Sequence, residues 1–149
     1  MLSVGDVAPD FQVDAGRTLY DVLKTHVVVL FFFPRAFTPG CTREAKGFCQ
    51  QHESLHDGGV EVVGMSADTA DREQRFAQEL GLPYPVVADP KGATLRAYGV
   101  RWPLVGLARR ATFVIGRDRR IHHVFRSETD VDGVHLTKAS AEALRLASA

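Results

Sequence analysis

Seven consecutive apolar residues, Val27 to Phe33 (VVVLFFF), form the longest hydrophobic run of the chain. β-Branched and aromatic side chains without polar alternation predict a strand buried on both faces. Val60–Ser66 (VEVVGMS) and Ala111–Gly116 (ATFVIG) read the same way. Ile121–Arg126 alternates more and is expected near a sheet edge, while Tyr84–Ala88 holds Pro85 and is expected as a brief strand. Gln12–Tyr20 carries a turn at Asp14, Ala15 and Gly16 between short extended pieces, which predicts a small hairpin.

Helical spacing fills the intervals. Thr42–Leu55 sets Ala45, Phe48, His52 and Leu55 three and four residues apart, an inward stripe that stops before Gly58 and Gly59. Asp71–Leu80 carries Phe76, Ala77 and Leu80 and stops at Gly81; Gly92–Tyr98 is closed by Gly99. The last helix, Thr137–Ala147, sets Ala141, Leu144 and Ala147 on one side. Strands alternating with helices imply an α/β sheet covered on both faces, and the few strands with a hairpin extension predict a thioredoxin-like sandwich. No repeat, linker or low-complexity segment interrupts residues 1–149, which read as a single domain.

Composition narrows the function. The 149 residues are 45% hydrophobic and 24% charged, the balance of a soluble globular domain. A chain of this length buries roughly 70% of its unfolded surface, so neither a metal nor a disulfide is needed to fold it. Eighteen Lys and Arg balance eighteen Asp and Glu, which leaves no excess charge for a nucleic-acid partner. The longest apolar run is far short of the roughly 20 residues of a membrane-spanning helix, and the start MLSVGDVAPDF has no basic region followed by an apolar stretch. No membrane association and a cytoplasmic location are expected. The two cysteines, Cys41 and Cys49, are too few for a secreted disulfide framework, so each is catalytic, metal-binding or simply buried.

Chemistry concentrates after the first core strand, in Pro34-Arg35-Ala36-Phe37-Thr38-Pro39-Gly40-Cys41-Thr42-Arg43-Glu44. Reactive groups of open α/β sheets collect beyond the carboxyl ends of strands. Cys41 falls in the first turn of the following helix, where free N–H groups and the helix dipole favour thiolate over thiol. The Thr38 hydroxyl is placed to donate to the sulfur or to an oxygen bound beside it, and Pro34, Pro39 and Gly40 constrain the loop. The same position also fits a small buried hydrophobe, the usual fate of a free cysteine.

P-R-A-F-T-P-G-C, with Pro34, Thr38 and Cys41 at P-x-x-x-T-x-x-C spacing, resembles the active-site signature of the peroxiredoxins, and T-P-G-C-T-R-E-A resembles the Q-type, bacterioferritin-comigratory-protein subfamily. Ala8-Pro9-Asp10-Phe11 is similar to the family's opening, Val63-Gly64-Met65-Ser66-Ala67-Asp68 to its second core strand, and Arg110-Ala111-Thr112-Phe113-Val114-Ile115 to the strand bearing its active-site arginine. Nearly the whole chain is covered, in order. The resemblance implies a peroxiredoxin-type fold, a central mixed sheet flanked by helices with an N-terminal hairpin. It further implies a thiol-dependent peroxidase of antioxidant defence, acting on hydrogen peroxide and organic hydroperoxides without metal, haem or flavin.

Carried over residue by residue, Cys41 becomes the peroxidatic thiol that is oxidised to a sulfenic acid. Thr38 and Arg110 would hydrogen-bond the two peroxide oxygens, Pro34 would shield the site, and Glu44 would orient the arginine. Adjacent Arg109 points to the other face if the segment is extended, and the R-x-T-F pattern selects Arg110. Thioredoxin, glutaredoxin or a low-molecular-weight thiol is the implied reductant. Many two-cysteine members of the Q-type group carry a resolving cysteine five positions after the first, where this chain has Lys46. Cys49 is the one internal candidate, set against a one-cysteine route in which it merely packs. Other functions for the same fold are a thiol-disulfide oxidoreductase, for which the usual C-x-x-C is missing, and a redox-sensing or chaperone-like binding module.

Several features have plainer readings. Cys49, His52 and His56 share a helical face, but Cys41 would be about 12 Å from Cys49 on a straight helix, too far to complete a tetrahedral metal site. His122 and His123 are expected as surface and packing residues, and Arg117, Arg119 and Arg120 beside Asp118 as a solvated basic turn. The apolar segment Trp102-Pro103-Leu104-Val105-Gly106-Leu107 can cover the site, pack inward or meet a partner. Related peroxiredoxins use this region in dimer contacts, so a homodimer is expected.

Overall fold

In the computed structural model, which describes residues 1–149, the chain opens with an antiparallel hairpin of β1 (Gln12–Asp14) and β2 (Arg17–Thr18). Asp14 closes its turn, accepting the Gly16 N–H at 3.1 Å through Oδ1 and the Arg17 guanidinium through Oδ2. The hairpin is shorter than the expected Gln12–Tyr20. Thr18 caps a helix, α1 (Leu19–Leu23), its hydroxyl accepting the Asp21 N–H while the Asp21 carboxylate accepts the Thr18 N–H. This reciprocal pair draws Leu19 and Tyr20 into a helix where their side chains alone suggest extended chain.

Five strands form the main sheet: β3 (Val27–Phe32), β4 (Val60–Ser66), β5 (Val86–Ala88), β6 (Ala111–Ile115) and β7 (Ile121–Arg126), in the spatial order β5-β4-β3-β6-β7. Between β3 and β4 runs α2 (Pro39–Asp57), and between β4 and β5 runs α3 (Ala70–Leu80). These crossovers make β3, β4 and β5 parallel, whereas β6 pairs antiparallel with β3 and with β7, so the sheet is mixed. A short α4 (Ala93–Tyr98) precedes β6, and a π-helical segment, Val131–Lys138, leads into α5 (Ala139–Ala147).

All six residues of β3 are buried. Val28, Leu30 and Phe32 pack with α1, α4 and the hairpin's Val13 on one face. Val27, Val29 and Phe31 pack with Ala45, Phe48 and Leu55 of α2, Phe76 of α3 and Ala139 and Ala143 of α5 on the other. Tyr84 precedes β5 rather than opening it, and its buried hydroxyl donates to the Ala45 carbonyl at 2.7 Å. The expected stripe on the last helix is also corrected: Ala141 is exposed, while Ala139, Ser140 and Ala143 are buried.

One consequence of the strand order positions the site. Phe32 at the end of β3 lies opposite Ala111 at the start of β6. The chain leaving β3 toward α2 and the chain entering β6 are therefore neighbours.

Candidate active site

Thr38 is the N-cap residue of α2 and Pro39 its first helical residue, a position where a missing N–H costs nothing. Cys41 thus stands in the first turn, among backbone donors that have no helical partner. Its side chain is buried, 1% exposed. The Thr38 hydroxyl makes no cap bond and does not donate to the sulfur; it donates to the Arg35 carbonyl at 2.7 Å. Pro34 is half-buried at the head of this loop, behind the fully buried Phe33.

Arg110 comes from the residue before β6. Its Nη2 donates toward the Cys41 sulfur at 3.3 Å and its Nη1 to Glu44 Oε1 at 2.6 Å. Gly40 permits this approach, since a β-carbon there would stand 3.2 Å from Nη2. The rest of Arg110 is held by Glu128, whose carboxylate accepts the Arg110 N–H at 2.8 Å and whose carbonyl accepts Nε–H at 3.3 Å. Arg109 turns away, its guanidinium 3.7 Å above the Trp102 ring. Arg109, Arg110, Arg126, Ser127 and Glu128 line a cleft of about 630 Å³ beside the guanidinium.

Burial dominates the electrostatics. It pushes the Glu44 carboxyl up to about 7 against the pull of Arg110. Burial works against the Arg110 charge, but Glu44 and Cys41 outweigh it and hold that guanidinium above its ordinary range. Glu44 Oε2 has no hydrogen-bond partner and lies 3.8 Å from His135 Nδ1. His135, from the π-helical segment, is fully buried. Its Nε2 meets the Ser127 carbonyl at 2.8 Å, so Nε2 carries the hydrogen, and Nδ1 accepts from the Thr112 hydroxyl at 2.7 Å. Burial, with nearby Arg110, holds His135 below the ordinary histidine range and therefore neutral.

Sequence reasoning brought Cys41, Thr38, Pro34, Glu44 and Arg110 to one place but missed Glu128, Thr112 and His135. Glu128 had a readable signal: β6 and β7 pair antiparallel, with Ala111 opposite Arg126, so residues just after β7 must return to Arg110. His135 had none, because a lone histidine in VDGVHLTK carries no motif.

The remaining candidates lie apart from this cluster. Cys49 is half-buried, its sulfur 3.9 Å from the Gly81 carbonyl. His52 and His56 both approach Glu61 Oε1, at 3.5 and 2.8 Å. His122 meets Asp118 at 3.1 Å and His123 meets Glu142 at 3.4 Å. No helix is long and apolar enough to cross a membrane.

Comparison with known proteins bears on this cluster. Residues 4–124 match the AhpC/TSA family. A Mycobacterium tuberculosis relative with a provisional peroxiredoxin name is 35% identical over 147 residues, 94% of this chain and 95% of the relative. The chloroplastic peroxiredoxin Q of Triticum aestivum is 31% identical over 131 residues, 85% of this chain and 60% of that protein. The crystal structure of peroxidoxin BcpB from Mycobacterium tuberculosis superposes with a TM-score of 0.88 at 36% identity, covering 97% of each chain. With its thioredoxin-like mixed sheet, its N-terminal hairpin and these relatives, the chain belongs to the AhpC/TSA family as a peroxiredoxin of the bacterioferritin-comigratory, or Q, type.

Proposed function

We propose that the protein is a thiol-dependent peroxidase that reduces hydrogen peroxide and organic hydroperoxides through a Cys41 sulfenic acid. The observation that carries the reading is the 3.3 Å contact between Arg110 Nη2 and the Cys41 sulfur, with Glu44 holding the opposite side of the guanidinium at 2.6 Å. A guanidinium fixed beside the sulfur gives a donor to the oxygen on which charge develops when the O–O bond breaks.

In the proposed reaction the Cys41 thiolate attacks the terminal peroxide oxygen. The S–O bond forms as the O–O bond breaks, sulfur loses two electrons, and the departing alkoxide or hydroxide takes a proton to leave as alcohol or water. Arg110 stabilises the departing charge. The Thr38 hydroxyl, whose hydrogen goes to Arg35, offers lone pairs to a peroxide O–H. Pro34 keeps bulk water from the sulfur. The sulfenic acid then condenses with an external thiol, releasing water, and a second thiol frees Cys41 and leaves as a disulfide. Thioredoxin, glutaredoxin or a low-molecular-weight thiol supplies those electrons, no metal or organic cofactor takes part, and the single domain of residues 1–149 works in the cytoplasm as a homodimer.

The test is peroxide consumption with dithiothreitol, run beside insulin disulfide reduction, with intact mass after one equivalent of peroxide. Peroxide consumption, a gain of one oxygen and no insulin reduction are expected. Insulin reduction without peroxide consumption would make the protein a thiol-disulfide oxidoreductase instead, and neither activity would leave a redox-sensing or binding role.

A further inference from the structure

The loop ahead of Cys41 holds Phe37 at φ +68°, the left-handed region that a β-carbon disfavours. Such a turn persists only where its surroundings fix it. Here one ion pair grips both backbone groups of Ala36. Asp68 Oδ2 accepts the Ala36 N–H at 2.8 Å, Arg72 Nη2 donates to the Ala36 carbonyl at 2.8 Å, and Asp68 Oδ1 lies 3.0 Å from Arg72 Nε. Arg72 also lies 5.0 Å from the Phe37 ring centroid, and that ring packs edge-on against Phe76 at 5.2 Å.

Behind Asp68 the network enters the core. Ser66 Oγ lies 2.6 Å from Asp68 Oδ2 and 2.6 Å from Glu73 Oε1, and it accepts the Asp68 N–H at 3.1 Å. Ser66 is fully buried and Glu73 is 2% exposed. A hydroxyl has one hydrogen, whereas two such oxygen–oxygen contacts need two, so the second belongs to a carboxyl. Asp68 already accepts an amide hydrogen and faces a guanidinium, both of which favour its charge. Glu73 Oε2 has no partner at all. The proton therefore resides on Glu73, which donates to Ser66, which donates to Asp68. The charged groups facing Glu73 are Asp68, from the turn between β4 and α3, and Arg72 of its own helix. Burial pushes the Glu73 carboxyl up to about 8, with the Asp68 charge adding to the effect.

We propose that Glu73 is a positioning residue for the reactive loop: protonated, it fixes Ala36 through Ser66 and Asp68, and its ionisation frees the turn that leads to Cys41. An ionised Glu73 would bring two carboxylates onto one hydroxyl hydrogen; Glu73 is fixed within α3, whereas Asp68 stands in the turn before it, so the repulsion falls on the Asp68 side chain that holds Ala36. The effect on catalysis rests on the peroxidase reading, whereas the hold on the loop does not.

Two readouts on the intact protein separate these layers: trypsin cleavage after Arg35, and the second-order rate with hydrogen peroxide in dithiothreitol. Each is followed from about pH 6.5 to about pH 9, across the range where Glu73 ionises. Glu73→Gln can donate to Ser66 but never ionises, and its cleavage at each pH corrects for trypsin's own pH dependence. Wild type should be cut after Arg35 roughly fivefold or more faster than Glu73→Gln at the upper pH, and equally at the lower. The wild-type peroxide rate should fall above about pH 8 relative to the variant. Parallel profiles for the two proteins would overturn the proposal. Ser66→Ala decides the point if Glu73→Gln folds poorly: lacking the link, it should be cut quickly at both pH values, and slow cleavage would equally overturn the proposal. Absence of peroxide consumption in wild type would sink the peroxidase reading while the cleavage arm still judged the loop.

Discussion

One guanidinium joins Cys41 to Glu44: Arg110 reaches the sulfur through Nη2 at 3.3 Å and the carboxylate through Nη1 at 2.6 Å. The planar fork lets both contacts form at once, and a lysine at this position could make only one well. Replacing Arg110 by Ala should slow the reaction with hydrogen peroxide on the order of 100-fold, the scale for removing a fixed transition-state donor. Cys41→Ser should abolish it in a folded protein. Stopped-flow measurement of the second-order rate constant checks both. An unchanged rate in Arg110→Ala would remove this arginine from the chemistry, and retained activity in Cys41→Ser would remove the thiol.

Glu44 acts on the sulfur only through Arg110, so its loss should cost less. Glu44→Gln keeps an oxygen for Nη1 but exchanges a charged acceptor for a neutral one, and a slowing of about tenfold is expected. Saturation kinetics and a thermal melt distinguish this from misfolding. A loss as large as that in Arg110→Ala, with an unchanged melt, would mean that Glu44 touches the reacting atoms itself.

The strands that build this site were legible because burial on both faces leaves an unbroken apolar run, as in Val27–Phe33, and periodicity needs no tertiary information. Cys41, Thr38 and Pro34 were legible because they share one short loop whose spacing is itself a signature, and Arg110 because an R-x-T-F pattern marks its strand. The groups behind them were not. Glu128 and His135 reach Arg110 and Glu44 through chain reversal after β7, and Glu73 shows in the sequence only as an acid in a charged helix. Its burial is a property of the packing of α3 on the sheet. Leu19 and Tyr20 were misread for a local reason, the capping box at Thr18, which outweighs their extended preference.

Three buried groups give stability a defined pH dependence. Glu44 and Glu73 are raised from 4.5 to about 7 and about 8. A raised acid contributes stability that is full below its unfolded value and is lost as pH rises through the folded one. His135 is lowered from 6.5, so its contribution is present above that value and is lost as pH falls. The urea midpoint should therefore decline from about pH 6.5 to about pH 8, and the decline should be shallower in Glu73→Gln. A midpoint rising across that interval would show that neither carboxyl is protonated in the fold.

The loop between α4 and β6 turns its apolar residues outward: Leu104 is 99% exposed, Val105 66% and Trp102 37%. Backbone bonds from Trp102 N–H to Leu107 and from Gly106 N–H to Trp102 fix the turn, so these side chains cannot retreat inward without breaking it. A homodimer that covers them is expected by sedimentation, and Leu104→Glu should convert it to monomer without changing the fold. Trp102→Glu should do the same while removing the surface on which Arg109 rests. A dimer that survives both substitutions would place the interface elsewhere.

The fate of the oxidised thiol follows from α2. Cys41 and Cys49 lie eight positions apart on one helix, which separates their Cα atoms by about 12 Å, whereas a disulfide tolerates no more than about 7 Å. Bond formation would need the first turns of α2 to unwind, and the packing resists it. Ala45 and Phe48 are fully buried between the two cysteines. Gly47, which by propensity alone loosens the helix, is instead where Leu136 seats: a β-carbon there would collide with Leu136 Cδ1. Cys49 itself packs against the core beside Gly81. Recycling by an external thiol is therefore expected. After one equivalent of peroxide, wild type and Cys49→Ser should both be labelled by dimedone, with intact masses showing one label each and no internal disulfide. Wild type that resists the label while Cys49→Ser takes it fully would show that α2 unwinds and that Cys49 resolves the sulfenic acid.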